Sequence, residues 1–160
     1  MKNNKFFQNM KSGINTAVIG KQLRKHLDER ARLQKKQDDL WRIIKQGYDR
    51  SYEMERIDEL IGNNTYAIDS LIGQLVRAGC RSGQAYTMAV NYLKSEIARN
   101  QRIVSSWEQK IRSVQMRRSC WITSTGVKHY DCTNAYRYLA KKKSKTANTQ
   151  RLLSQLLYAF

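Results

Sequence analysis

The chain has 160 residues, the size of a single domain, and its 30 Lys and Arg against 13 Asp and Glu leave a net charge of +17. It has no proline, where an average chain of this length holds roughly eight; this removes the commonest helix breaker and argues against a Pro-rich linker or a turn-dense β-sandwich. No stretch approaches the ~18 apolar residues of a membrane-spanning helix, no apolar run follows the basic N-terminus, and three cysteines make no disulfide framework.

Residues 1–20 form a basic amphipathic segment. Phe7, Met10, Ile14 and Val18 fall at helical spacing, with Lys2, Lys5 and Lys11 beside them. Packing back on the chain's own bundle is the ordinary fate of such a stripe. Contact with an anionic membrane surface or a partner's groove is the weaker reading.

A long helix is expected from about Asn15 or Lys21 to Ile61. Its apolar face runs through Leu23, Leu27, Leu33, Leu40, Ile44, Tyr48, Met54, Ile57 and Ile61. Its charges balance along the surface, with Arg24 and Asp28, Asp28 and Arg32, Lys35 and Asp39, and Asp38 and Arg42 each at i,i+4. Gly62-Asn63-Asn64-Thr65 reads as a helix stop and a fresh N-cap. The segment carrying Ile68, Leu71, Ile72, Leu75 and Val76 is then an antiparallel return. Gly79 and Gly83 mark a second break, with Ser82 capping the helix that follows.

Val90, Leu93, Ile97, Asn100, Val104, Trp107, Ile111 and Val114 step by alternating threes and fours. This is a heptad seam with one polar member. Asn100 either fixes register against a partner helix or faces solvent. The seam itself serves an intramolecular bundle or a homo-oligomer.

The segment CWITSTGVKHYDC, residues 120–132, changes character, with aromatic and β-branched residues flanking Thr125-Gly126. A three-residue turn there would set Cys120 opposite Cys132, Trp121 opposite Asp131 and Ile122 opposite Tyr130. Unremarkable thiols are the default for Cys120 and Cys132, a cross-hairpin disulfide is the alternative, and Cys120, His129 and Cys132 lack the two close-spaced pairs of a structural zinc site. A last helix starts near Thr133, and the polar KKKSKTANTQ stretch either breaks it or exposes it.

The fold class is therefore all-α: a long-helix antiparallel bundle or coiled coil with a short β-hairpin-like insertion near residues 120–132. Residues 21–118 form its helical core, and residues 119–160 form a basic hairpin plus C-terminal helix. His26 and His129 are the only histidines, and neither stands at a defensible spacing from a nucleophile and an orienting carboxylate. No phosphate-cradling glycine loop is present. The chain is read as non-enzymatic, without cofactor or metal, and cytoplasmic or associated with an assembly or particle.

Charge indicates the partner. Residues 117–160 hold nine basic side chains against Asp131 alone. Arg117, Arg118, Lys128, Arg137, Lys141, Lys142, Lys143 and Lys145, interleaved with Tyr136 and Tyr138, resemble the cation-plus-aromatic surfaces that neutralise phosphates and stack on bases. The expected function is sequence-nonspecific nucleic acid binding through this region. The alternative is a coiled-coil adaptor, stalk or structural subunit of a larger assembly, such as a secretion apparatus or a phage or virus particle, whose charge meets an acidic protein surface.

Overall fold

A computed structural model describes residues 3–117, 121–122, 128–129 and 132–158, with side-chain environments for 15–113 and 132–158. Four helices account for nearly all of it: α1 (Asn3–Lys45), α2 (Ser51–Arg77), α3 (Gln84–Arg117) and, beyond two short strands, α4 (Thr133–Tyr158).

The first long helix ends well before Ile61. Gly47 adopts φ 98° and its N–H reaches the Ile44 carbonyl at 2.9 Å, a conformation that glycine enters at little cost. Asp49 Oδ1 then accepts the Ser51 N–H at 2.9 Å and launches α2. The anticipated turn at residues 62–65 is corrected, because these residues lie inside α2. Asn64 and Thr65 belong there for a reason that only the neighbouring helix supplies, described below.

The break at Gly79 and Gly83 is present, with φ 66° and 91°. Gly83, rather than Ser82, supplies the carbonyl that takes the Thr87 N–H at 3.1 Å and the Thr87 hydroxyl at 3.0 Å. Between α3 and α4, β1 (Trp121–Ile122) pairs antiparallel with β2 (Lys128–His129), Trp121 opposite His129 and Ile122 opposite Lys128. The register anticipated for a hairpin over 120–132 is thus corrected by two residues, and pairing is confined to two residues on each side. The turn at 125–127 and Cys120 lie outside the described residues, and Cys132 carries a free thiol. The polar stretch of α4 does not break it, and the Thr146 and Thr149 hydroxyls bond the carbonyls four residues back at 2.9 Å.

Cross-helix contacts fix the arrangement. Gln37 meets Asp58 and Arg30 meets Thr65, so α1 and α2 are antiparallel. Gly20 meets Ala85 and Gln37 meets Arg99, so α1 and α3 run parallel. Trp107 and Glu108 meet Tyr138 and Lys143, and Ile111 packs with Leu139. α1 packs on α2 and α3, and α4 packs on α3 and α2, so α1 and α4 hold opposite corners of a four-helix bundle. A Cβ at Gly20 would lie 3.2 Å from the Ala85 Cβ, and glycine there permits the close approach of α1 to α3.

All four helices feed the main core: Ile19 and Leu23, Ile68, Ile72 and Leu75, Ala89 and Leu93, and Leu156. A second cluster joins Ile111 to Ala135 and Leu139, and a third lies beneath the α1–α2 turn, with Leu40, Ile44 and Met54. Val18 at the start of this packing is half exposed, while Phe7, Met10 and Ile14 lie outside the side chains described. Among the described residues, no helix is long and apolar enough to cross a membrane.

Candidate nucleic-acid interface

A helix turns ~100° per residue, so lysines adjacent in sequence point in different directions. Lys143 leans toward α3 and pairs with Glu108 at 2.9 Å. Lys142 is half-buried, its ammonium 5.7 Å from the Tyr138 ring centre, and burial followed by the nearby Lys145 lowers its pKa. Lys145 is exposed on the α2 side, in the field of Asp69. Arg137 and Lys141 are exposed and face outward.

The aromatics divide as well. Tyr138 is tilted against Trp107, ring centres 5.1 Å apart, while Tyr136 is 49% exposed. Arg117 is the last residue of α3 and Lys128 the first of β2, with their side chains outside those described; Arg118 lies outside the described residues.

What the sequence run conceals is a stripe. Asn134, Arg137, Lys141, Ser144, Asn148, Arg151 and Gln155 step by alternating threes and fours along α4, and every one of them is exposed. At 1.5 Å per residue they cover about 32 Å. Each can donate a hydrogen bond, and α4 contains no carboxylate side chain. The signal in the sequence is the helical period of the polar positions, which a count of lysines does not reveal.

The heptad seam lies largely inside the bundle. Val90, Leu93 and Ile111 are buried, Ile97, Val104 and Trp107 are partly buried, and the Val114 side chain lies outside those described. Asn100 is 7% exposed and so sits in the interior, facing the chain's own helices.

A buried polar layer crosses the bundle behind this face. Arg30 on α1 is 8% exposed. Its guanidinium donates to both Glu96 carboxylate oxygens, at 2.6 and 3.3 Å, to the Thr65 hydroxyl at 2.6 Å and to Asn64 Oδ1 at 3.5 Å. It also lies 5.5 Å from the Tyr92 ring centre. Asn64 donates in turn to the His26 carbonyl at 2.8 Å, and Thr65 to the Ile61 carbonyl at 2.8 Å. No fully buried side-chain nitrogen or oxygen among the described residues lacks a partner. The sequence signal was a polar residue in the apolar stripe of each helix, Arg30 after Leu23 and Leu27, and Asn64 between Ile61 and Ile68.

Among the described residues, no group of three or more His, Cys, Asp or Glu is placed to hold a metal ion. Comparison with family models, curated proteins and solved structures finds no match to this chain.

Proposed function

We propose that this chain is a non-enzymatic helical protein that binds the nucleic-acid backbone, without sequence preference, through the outer face of α4. One observation carries the reading: seven consecutive outward positions over about 32 Å are exposed donors, on a helix without a carboxylate. A regular polyanion suits a regular row of donors better than the scattered carboxylates of a protein surface do. Lysine and arginine at helix spacing position a backbone and read no bases. The finer reading of the α3–α4 link as a hairpin insertion belongs to the same proposal. The pairing of Trp121–Ile122 with Lys128–His129 supports it.

Arg137, Lys141 and Arg151 engaging three phosphates imply a log–log salt slope of about −2 on single strands. Fluorescence anisotropy against a labelled oligonucleotide tests this across a salt series. Arg137→Glu, Lys141→Glu and Arg151→Glu combined should abolish binding while circular dichroism keeps the wild-type helicity. Wild-type affinity in that folded variant would show that α4 is not the interface.

A further inference from the structure

The core seam of α1 changes character toward its N-terminus. Ile19, Leu23, Arg30, Leu33, Leu40 and Ile44 are buried and step by threes, fours and sevens along one side of the helix. Carried back at the same spacing, that side holds Thr16, Ser12, Asn9 and Lys5, all polar. The apolar positions Phe7, Met10, Ile14 and Ala17 step by threes and fours along the opposite side of the same unbroken helix. Where side chains are described the division is visible: Ile19 is buried, while Ala17 and Val18 are exposed.

This segment also runs past the rest of the bundle. Gln37 meets Asp58 and Arg30 meets Thr65 on the antiparallel α2, so Arg77, the last residue of α2, is level with position 18. Gly20 lies beside Ala85, the second residue of α3. Glu108 pairs with Lys143 on the antiparallel α4, which sets the end of α4 at Tyr158 level with Leu93. Residues 3–17 of α1 therefore project about 22 Å beyond the other helices at 1.5 Å per residue. Among the described residues, no other helix stands at the level of positions 7, 10 and 14.

The same side of α1 continues as a basic one. Lys21, Arg24 and Lys25 follow the stripe at helical spacing and are exposed, and residues 1–27 hold six Lys and Arg without a carboxylate. Pairing with the arm of a second copy would set like charge against like. A protein groove would need acidic rims built along its margins. An anionic bilayer offers negative charge across its whole surface and an apolar layer just beneath. Lysines beside a face of phenylalanine and aliphatic residues mark helices that lie in that interface. We infer that the outer side of α1, from Phe7 to Lys25, docks on an anionic lipid surface with the helix axis parallel to it. The stripe enters the acyl boundary, and Lys21, Arg24 and Lys25 meet headgroup phosphates. Because α1 and α4 hold opposite corners of the bundle, this surface is separate from the α4 stripe.

The test is flotation of the full chain with vesicles of phosphatidylcholine, alone or mixed with phosphatidylglycerol. The protein should float with the anionic vesicles and stay behind with the neutral ones. Phe7→Gln, Met10→Gln and Ile14→Gln combined leave the charge unchanged and should lower vesicle affinity by about a hundredfold or more, with helicity retained. Lys21→Gln, Arg24→Gln and Lys25→Gln combined should lower it about a hundredfold. Arg137→Glu, Lys141→Glu and Arg151→Glu combined should change it far less, because these residues face away from the vesicle. Parent affinity in the stripe variant overturns the inference, as adsorption by charge alone would give that result. So does a loss in the α4 variant as large as in the α1 variants, equal flotation with both vesicles, or flotation with neither. A dimer of the parent in light scattering that the stripe variant dissociates assigns the stripe to a second copy, and likewise overturns it.

Discussion

Arg30 on α1 and Glu96 on α3, 66 residues apart in sequence, form a bidentate ion pair whose closest contact is 2.6 Å, and their side chains are only 9% and 12% exposed. Arg30 occupies a position in the apolar stripe of α1 that a leucine could fill. Its charge is held by Glu96, Thr65 and Asn64, and its plane lies beside Tyr92. A buried pair of this kind gains little net stability over apolar residues of similar volume, but it accepts few alternative alignments of the helices.

Removing one partner exposes the cost of the other. Glu96→Ala leaves a buried guanidinium without its carboxylate and should destabilise the fold by about 3–5 kcal/mol. Arg30→Met with Glu96→Leu should be close to neutral, or more stable by about 1–4 kcal/mol. Urea unfolding measures both. A Glu96→Ala variant as stable as the parent would show that the pair is not held as described.

Gly62 and Gly83 should respond in opposite directions to the same substitution. Gly62 lies inside α2, and a Cβ built on it meets nothing within 4 Å. Gly62→Ala should therefore stabilise by about 1 kcal/mol, the helix-propensity difference. Gly83 adopts φ 91°, which L-residues rarely adopt, so Gly83→Ala should destabilise by about 1 kcal/mol or more. Thermal unfolding of the two variants decides whether residue 62 lies within a helix and residue 83 at a break.

The contrast between these glycines shows what was legible in the sequence. The all-helical class, the seam on α3 and the break at Gly79–Gly83 follow from period and glycine placement, which are local signals. The turn at Gly47 was missed because the apolar face continues past it, through Met54, Ile57 and Ile61. Asn64 and Thr65 look like caps because short polar side chains are usually caps. Only the position of Arg30, 34 residues earlier, explains them as receptors for a buried charge. The basic run of α4 shows the converse: a count of charges joins Lys141, Lys142 and Lys143, and the helix separates them. The surface pairs shifted too, since Glu29–Arg32 and Asp39–Arg42 close at i,i+3 where i,i+4 spacing was anticipated.

Alkaline pH should weaken the bundle through Tyr92. Burial raises its phenol pKa well above the ordinary value of 10.0, more than Arg30 beside it lowers it. The neutral phenol is thus favoured in the folded state, and the unfolded chain loses its proton first. Stability from this group is complete below pH 10 and falls as the pH rises beyond it. Tyr92→Phe keeps a ring beside Arg30 and removes the titration. The variant should lose less stability than the parent between neutral and strongly alkaline pH, as measured by urea midpoints. Parallel losses in both would place the alkaline sensitivity elsewhere.

Lys141, Lys142 and Lys143 give the sharpest separation of surface from scaffold, because the residues are consecutive and chemically identical. Lys141 is exposed on the outer stripe, and Lys141→Gln should weaken oligonucleotide binding and reduce the salt slope by about 0.7–0.9. Lys142 sits half-buried over Tyr138 with its pKa lowered by burial, so Lys142→Met should leave binding unchanged and raise stability at neutral pH. Lys143 neutralises Glu108 at the edge of the α3–α4 groove. Lys143→Gln releases that carboxylate toward the ligand, so affinity should fall, and Lys143→Gln with Glu108→Gln should recover most of it. Anisotropy titrations at several salt concentrations measure all four variants. Equal losses from the three single variants would mean that the ligand responds to total charge, and that the stripe on α4 has no special standing.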